Sequence, residues 1–168
     1  MIAYRDATPA DAPVLAALGA TSFTQTFGHL YAASDLALFL DNHSEEAWRA
    51  QLKDDDFAVR LAEADGAAIG YAKLGPPQLP FTPREQAVEL RQLYVLAPWH
   101  GAGVAAALME WVIDRARARR ASALFLSVFT DNQRARRFYA RYGFEALGTY
   151  AFMVGTHADE DIVMRLAL

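Results

Sequence analysis

The stretch that decides the fold runs from Leu90 to Leu108 and reads LRQLYVLAPWHGAGVAAAL. Its first part, residues 90–96, is rich in the branched and aromatic residues that favour β-strands. Pro98 ends the strand because proline supplies no donor to a ladder. Gly101 and Gly103 then lead into an alanine-rich helix, where glycine lets the backbone approach a ligand and the first turn offers N–H groups to a phosphate. We therefore expect a strand, a phosphate-binding turn and a helix, although an ordinary tight turn would give the same pattern.

The sequence on both sides of this stretch predicts a mixed α/β sheet of about seven strands. Asp65-Gly66 between two apolar runs is typical of a β-hairpin turn, and the strand–helix–strand step over residues 90–129 predicts a right-handed parallel crossover. We expect the other strand pairs to be mostly antiparallel, with helices on both faces and with residues 1–168 in one domain. The expected strands are 2–5, 57–64, 67–74, 88–96, 123–129, 144–154 and 161–168; the expected helices are 8–26, 34–40, 44–53, 101–119 and 132–143; residues 156–160 and the Pro-rich residues 75–87 are expected to be loops.

Composition excludes several classes of protein. With 54% hydrophobic and 21% charged residues among 168, the chain is globular, and its net charge of −4 argues against a nucleic-acid partner. The absence of cysteine excludes disulfides, thiolate metal sites and a covalent cysteine nucleophile. The four histidines are scattered, so we expect no metal. The charged start at Met1–Asp6 and the lack of a long apolar run predict a cytoplasmic protein that does not bind a membrane.

The glycines also match a dinucleotide motif. Residues 101–106 read GAGVAA and fit G-x-G-x-x-A. That motif normally opens a repeated βαβ array, whereas a hairpin precedes it here. Asp131, the acid available for a ribose contact, lies well beyond the usual spacing of about 20 residues. A P-loop is excluded because no Lys-Ser/Thr pair follows Gly103.

A second motif accompanies the glycine turn. Residues 132–144 read NQRARRFYARYGF and fit N-x-x-A-x-x-F-Y-x-x-x-G-F. With the strand and turn before it, this chain resembles the GNAT family of N-acetyltransferases. The family's turn is Q/R-x-x-G-x-G/A, and this chain has His100, Gly103 and Ala105 there, so that His100 departs from the pattern. Residues 21–27, 152–155 and 161–164 and Tyr94 are similar to the PaiA-type branch, which resembles bacterial spermidine/spermine acetyltransferases.

The resemblance implies direct transfer of an acetyl group from acetyl-CoA, as a co-substrate, to an amine, without a metal. It implies that strands 90–96 and 123–129 splay apart, that the pantetheine arm lies between them, and that main-chain N–H groups there polarise the thioester carbonyl. Asn132 is expected to cap its helix, to bind the pantetheine arm, or both. The residues expected to bind the cofactor are Leu93, Tyr94, Val95, His100, Gly101, Ala102, Gly103, Val104, Ala105 and Asn132.

Two residues are expected to be catalytic. Tyr139 matches the family's tyrosine that protonates the departing thiolate; an ordinary phenol near pKa 10 donates to a thiol near 8.5 at a cost of about 2 kcal/mol. The alternative is a tyrosine packed in its helix. Glu89 lies where several family members have a glutamate that helps to deprotonate the amine. Because its ordinary pKa is about 6 units below that of an alkylamine, it would act through water or attract the ammonium ion; the alternative is a strand carboxylate in solvent.

The acceptor is the least defined part. Phe27 and Tyr31 are expected either to line an acceptor pocket or to pack in the core. We expect a small-molecule primary amine, and a polyamine suits the net charge of −4. A protein N-terminus or lysine is an alternative acceptor, and a CoA-binding sensor without catalysis is an alternative class. We expect a monomer or a homodimer.

Overall fold

The structure is a computed structural model that describes residues 1–80 and 85–168. The strands in chain order are β1 (Ile2–Asp6), β2 (Ala58–Ala64), β3 (Ala67–Gly75), β4 (Ala87–Val95), β5 (Ala123–Phe129), β6 (Glu145–Val154) and β7 (His157–Ala167). The helices are α1 (Ala12–Phe27), α2 (Ala33–Asp41), α3 (Glu45–Leu52), α4 (Val104–Ala118) and α5 (Gln133–Arg141). Part of the predicted loop 75–87, residues 81–84, lies outside the described residues.

The strands form one sheet in the order β1-β2-β3-β4-β5-β7-β6. β4 and β5 are parallel and joined through α4, and the other neighbouring pairs are antiparallel. The predicted mixed sheet with a central parallel pair is confirmed. A dinucleotide-binding domain needs a repeated parallel βαβ array, so the dinucleotide interpretation of Gly101 and Gly103 is wrong.

Helices cover both faces of the sheet because successive strand residues point in opposite directions. On one face, Leu108 and Val112 of α4 are fully buried in a core that includes Ala72. On the other face, Trp48 of α3 packs in a separate core with Tyr71, the neighbour of Ala72 in β3. The expected arrangement of helices on both faces is confirmed.

The central strands part after a short paired segment. Among the described residues, β4 and β5 pair at three positions, the last being Glu89 with Phe125. Against β3, β4 then carries an extra residue, Arg91, and such a bulge bends a strand and increases its twist. The remaining parts of β4 and β5 diverge, as the family resemblance implied, and leave a gap in the middle of the sheet.

Three element boundaries differ from the expected ones by three residues or more. α1 begins at Ala12 and not near residue 8, because Pro9–Asp11 form a separate 3-10 turn before it. α4 begins at Val104 and not near residue 101, because the left-handed φ angles of Gly101 and Gly103 do not fit a helix. The last strand begins at His157, so the expected loop 156–160 is wrong apart from its first residue. The chain reverses instead at Gly155, which has a φ of 60°, and the polar residues 157–160 continue the ladder with β6.

Buried Lys73 makes the stability of this fold depend on pH. Its ammonium group donates to Gln51 Oε1 at 2.7 Å and lies 4.4 Å from the centre of the Trp48 ring. Burial and, to a smaller extent, the charge of Arg91 lower its pKa to about 7, whereas the unperturbed pKa is 10.5. Because the unfolded chain keeps this proton and the folded chain loses it, the free energy of unfolding should rise with pH from about pH 7 to about pH 10.

We expect Lys73→Met to remove this rise, which is on the order of 3 kcal/mol. The variant should be at least as stable as the wild type at neutral pH, because methionine fills the site without a buried charge. Urea unfolding at about pH 7 and about pH 9.5 measures both effects. Lys53→Met is the matched control, since Lys53 is the other lysine of the chain and is exposed. A Lys73→Met variant with the pH slope of the wild type would contradict this account.

Candidate active site

A cleft of about 580 Å³ opens where β4 and β5 diverge. One end is formed by α5 and the turn before α4, and the other end by α1 and strands β6 and β7. The cleft therefore passes through the gap in the sheet from one helical layer to the other. Twelve of the expected site residues line it, namely Phe27, Tyr31, Leu93, Tyr94, Val95, His100, Gly101, Gly103, Val104, Ala105, Asn132 and Tyr139, whereas Ala102 and Glu89 do not.

The glycine turn forms one end of this cleft. Gly101 and Gly103 have φ angles of 81° and 82°, in the left-handed region that glycine adopts without steric cost. A Cβ atom at either position would meet no atom of residues 1–80 or 85–168 within 4 Å, so crowding among these residues does not explain the two glycines. After the turn, the N–H groups in the first turn of α4 have no acceptor within the helix. The turn and the helix start together form a backbone site suited to an anion.

One face of α5 brings positive charge to the same end. Arg134, Arg137 and Arg141 line the cleft, and their spacing of three and four residues places them on one side of the helix. Guanidinium groups bind phosphate through paired hydrogen bonds. Sequence analysis missed these three residues, although the spacing R-x-x-R-x-x-x-R within the second motif is a signal that identifies them.

His100 links the two walls of the cleft at this end. Its Nε2 lies 2.8 Å from the carbonyl oxygen of Val95 in β4, and its Nδ1 lies 2.6 Å from the guanidinium group of Arg134 in α5. Arginine can only donate, so Nδ1 accepts and the proton is on Nε2. His100 therefore joins the end of β4 to α5 and orients Arg134.

The inner edge of β4 forms the middle of the cleft. Beyond Glu89 this edge has lost its pairing with β5, so backbone groups near Leu93 and Val95 face the gap, while their side chains pack toward the α4 core. Asn132, on the opposite wall, accepts a hydrogen bond from the N–H of Ala135 at 3.2 Å and caps α5. The expected capping role is confirmed.

Tyr139 extends from α5 into the cleft. Its ring lies 5.5 Å from that of Phe138 and 5.8 Å from that of Phe144, centre to centre. Burial raises the pKa of Tyr139 to about 12, so the phenol is fully protonated at neutral pH, as a proton donor must be. It holds that proton more tightly than the ordinary phenol assumed from the sequence.

The structure does not bring Glu89 to the cleft. Glu89 lies at the last pair between β4 and β5, at the base of the gap. Its carboxylate lies 3.2 Å from the guanidinium group of Arg91 and accepts a hydrogen bond from the N–H of Gln78 at 3.2 Å. The residue is 7% exposed, so the alternative of a carboxylate in solvent is wrong. Burial raises its pKa, against the opposing effects of the Gln78 N–H group and Arg91.

Aromatic residues surround the other end of the cleft. The ring of Phe27 packs edge-on against that of Phe129, with centres 6.2 Å apart, and the hydroxyl group of Tyr31 donates to Asp159. Phe27 and Tyr31 line the cleft and also pack against the core formed with Phe23, and their contact with an acceptor stays a prediction.

Two carboxylates at this end were missed by sequence analysis. Asp159 and Asp161 of β7 line the cleft and are 9% and 5% exposed. They are two residues apart, so they point to the same side of the strand. Burial and the nearby charge of Asp159 raise the pKa of Asp161 to about 7. The alternation D-x-D ahead of an apolar run is the signal that identifies them, but it falls across the boundary of an expected loop.

Comparisons with known proteins agree with this geometry. The sequence profile of the acetyltransferase (GNAT) family matches residues 22–144. An uncharacterized N-acetyltransferase of Mycobacterium tuberculosis is 39% identical over 155 residues, which cover 92% of this chain and 96% of that protein. The chain belongs to the GNAT family. The resemblance stated from the two motifs is thereby confirmed.

Two further similarities bear on this GNAT protein. The L-amino acid N-acetyltransferase AaaT of Escherichia coli is 31% identical over 128 residues, covering 73% of this chain and 77% of that protein. The crystal structure of the PaiA N-acetyltransferase of Thermoplasma acidophilum in complex with coenzyme A superimposes with a TM-score of 0.82 at 18% identity, covering 100% of this chain and 99% of that one. The chain is therefore an N-acetyltransferase with acetyl-CoA as its donor, and its fold is that of the family.

The residues of the cleft fit coenzyme A. The open space beside Gly101 and Gly103 leaves room for a pyrophosphate against the backbone, and the three arginines of α5 supply complementary charge. The unpaired edge of β4 offers N–H and C=O groups to the amides of a pantetheine arm. Within the described part of the chain, none of the helices of this GNAT protein is long and apolar enough to span a membrane.

We expect Gly103→Val to abolish the binding of coenzyme A, because its side chain would occupy the space beside the backbone cradle. Gly66→Val is the matched control: Gly66 also has a left-handed φ, of 80°, and open space around its Cβ position, but it lies in the β2–β3 hairpin. Both variants should lose a similar stability of about 1–3 kcal/mol from backbone strain.

Calorimetric titration with coenzyme A and thermal unfolding separate the two effects. Only Gly103→Val should weaken binding, by about 100-fold or more, which corresponds to roughly 3 kcal/mol. Equal affinities in the two glycine variants would place the phosphate site elsewhere.

Proposed function

We propose that this acetyltransferase transfers the acetyl group directly to the primary amine of a small molecule. The observation that carries the proposal is the continuity of the cleft, in which the anion-binding turn, the open edge of β4, Tyr139 and the pair of carboxylates share one space. Acetyl-CoA supplies an activated thioester when it is bound. Direct transfer needs both substrates in one cleft, and a chain without cysteine has no thiol to hold an acetyl group in between.

The residues at the turn would hold the donor. The N–H groups of residues 101–105 would bind the pyrophosphate, and the guanidinium groups of Arg134, Arg137 and Arg141 would bind phosphate oxygens. Backbone groups near Leu93 and Val95 would bind the pantetheine amides and orient the thioester, and a free N–H there would polarise its carbonyl oxygen. Asn132 faces the same space while its oxygen caps α5.

Tyr139 would donate its proton to the leaving sulfur. A phenol with a pKa of about 12 is a weaker acid than a free thiol. The same burial acts on the thiolate, however, because a charged sulfur in this cleft is also removed from water and its pKa also rises. The two shifts have the same direction, so the difference in acidity is smaller than the shift of Tyr139 alone suggests.

A small acceptor is favoured by the shape of the opposite end. Tyr31 is hydrogen bonded to Asp159 across it, and Phe23 and Phe152 form parts of its wall. Thr156 of the β6–β7 turn donates to Asp35 of α2 through its N–H group at 2.8 Å, which holds this hairpin against the helix. These contacts hold α2 and the β6–β7 hairpin together beside the acceptor end, which supports a small molecule over a lysine on a protein surface.

We expect Tyr139→Phe to lower turnover by about 10²–10⁴-fold, the usual effect of losing a general acid. The ring and its packing remain, so stability should change by at most about 0.5–1.5 kcal/mol, and affinity for acetyl-CoA should change little. The measurement is thiol release from acetyl-CoA over a panel of amines, together with calorimetry. Tyr142→Phe is the matched control, since Tyr142 is the residue directly after α5 and its hydroxyl group donates to the carbonyl oxygen of Ala106 at 3.4 Å.

Two outcomes would contradict parts of the proposal. If Tyr139→Phe keeps more than about half of the wild-type turnover while chemistry limits the rate, Tyr139 is a packing residue and another donor supplies the proton. If the wild type binds acetyl-CoA but releases no thiol with any amine, the protein is a CoA-binding sensor.

A further inference from the structure

The two carboxylates at the acceptor end differ in what they bind. Both oxygens of Asp159 already accept hydrogen bonds, one from the hydroxyl group of Tyr31 and one from Nε2 of His157 at 3.1 Å. The hydroxyl group of Ser127 lies close enough to the carboxylate of Asp161 to oppose the rise in its pKa. Ser127 accepts from the phenol of Tyr150 at 3.0 Å, which leaves its own proton for Asp161. One oxygen of Asp161 therefore remains for a ligand.

Asp161 is a buried carboxylate that lines a cleft which none of the described residues fills. It is 5% exposed and lines the cleft, although an ionised carboxylate without a cation is costly to bury. Burial raises the pKa of Tyr94 and of Tyr31, and the charge of Asp161 adds a smaller rise to each, so Asp161 lies within electrostatic range of both phenols. The phenol of Tyr139 also contributes to the raised pKa of Tyr94, so these two phenols lie within electrostatic range of each other. Asp161 thus lies on the side of the gap where the acceptor amine would approach.

The surroundings of Asp161 suit a cation with an apolar body. Asp159 adds a second negative charge on the same side of β7, and the rings of Phe27 and Phe152 line the adjoining wall. The faces of aromatic rings attract alkylammonium groups and do not attract carboxylates. An anionic group on the acceptor, by contrast, would be repelled by two buried carboxylates.

We propose that Asp161 binds the ammonium group of the acceptor and takes its proton, and that the acceptor is an alkylamine without a carboxylate near its amine. This inference rests on the proposed function. In the step, one N–H bond of the ammonium breaks and an O–H bond forms on Asp161, which leaves a neutral amine and a neutral carboxyl group. Over the whole reaction the nitrogen loses two protons: one replaces the proton that Tyr139 gives to the sulfur, and the other leaves through Asp161 to solvent.

Burial explains why Asp161 suits this role better than Glu89 does. An alkylammonium has a pKa of about 10.4, and a carboxyl group with a pKa of about 7 is closer to it than an ordinary carboxyl group. A carboxyl group with the ordinary pKa of aspartate would bind the cation but leave it protonated. The charged or titratable groups near Asp161 are Asp159 on β7, Tyr150 on β6, Tyr94 on β4 and Tyr31 before α2, and Glu89 also acts on Tyr150.

Matched amines test the class of acceptor. 4-Aminobutanoate has a carboxylate where putrescine has its second aminomethyl group. L-Phenylalanine is phenethylamine with a carboxylate added beside the amine. We expect kcat/KM to be at least about 10-fold higher for the amine without a carboxylate in each pair, since like charges disfavour the other member. Faster acetylation of the carboxylate-bearing member would overturn the proposal.

Asp161→Asn tests the proton transfer with little change in shape. We expect kcat/KM for the better amine to fall by about 100-fold or more, with the affinity for acetyl-CoA unchanged. In the wild type, kcat/KM should rise with pH through an apparent pKa near 7, and Asp161→Asn should lack this rise. Glu160→Gln is the control, because Glu160 is the exposed acid between the two buried ones. An Asp161→Asn variant with the wild-type rate and pH profile would overturn the proposal.

Thermal unfolding provides a measurement that does not depend on activity. The folded chain keeps the proton of Asp161 up to about pH 7 and the unfolded chain loses it near pH 4, so this residue lowers stability as pH rises between these values. The gain in stability of Asp161→Asn over the wild type should therefore be larger at about pH 8 than at about pH 5. Lower stability of Asp161→Asn at both pH values would indicate a structural role and overturn the proposal. If the wild type acetylates no amine at all, the proposed function itself fails.

Discussion

The incomplete pairing of β4 with β5 is the constraint on which the rest of this structure depends. The outer edges of the two strands are bound to β3 and β7, so the strands can part without losing the sheet. Their inner edges, beyond Glu89 and Phe125, carry backbone groups that still need partners. The gap therefore favours a ligand that brings its own amide groups, and a pantetheine arm meets that need.

The gap also separates two chemical environments. Toward α4 and α5 the cleft offers backbone N–H groups and the arginines of one helix face; toward α1 and β7 it offers aromatic rings and two carboxylates. Burial in this cleft raises the pKa of both Tyr139 and Asp161, because it disfavours the charged form of each group. A phenol that keeps its proton and a carboxyl group that takes one readily are therefore produced by the same removal of water.

The base of the gap is stabilised by polar groups, of which Arg91 lines the cleft and Glu89 and Lys73 do not. Glu89 and Arg91 form an ion pair at 3.2 Å where the two strands still pair, and Lys73 on the neighbouring strand is buried near both. A sequence motif cannot distinguish a glutamate at the base of the gap from one inside it, because one residue along a strand reverses the side that a residue faces and a bulge shifts it again.

The sequence by itself determined the order of the elements, the glycine turn and the family. These follow from local chemistry: proline ends the strand before the turn, Gly101 and Gly103 allow left-handed backbone, Asn132 caps α5, and the second motif places Tyr139 on that helix. Only the tertiary structure decided that Asp161 enters the cleft and that Glu89 stays outside it. Residues 157–160 look like a loop because they are polar, but β6 supplies the ladder that makes them a strand. Strand pairing over long sequence separations determines which side chains meet, and no local pattern contains that information.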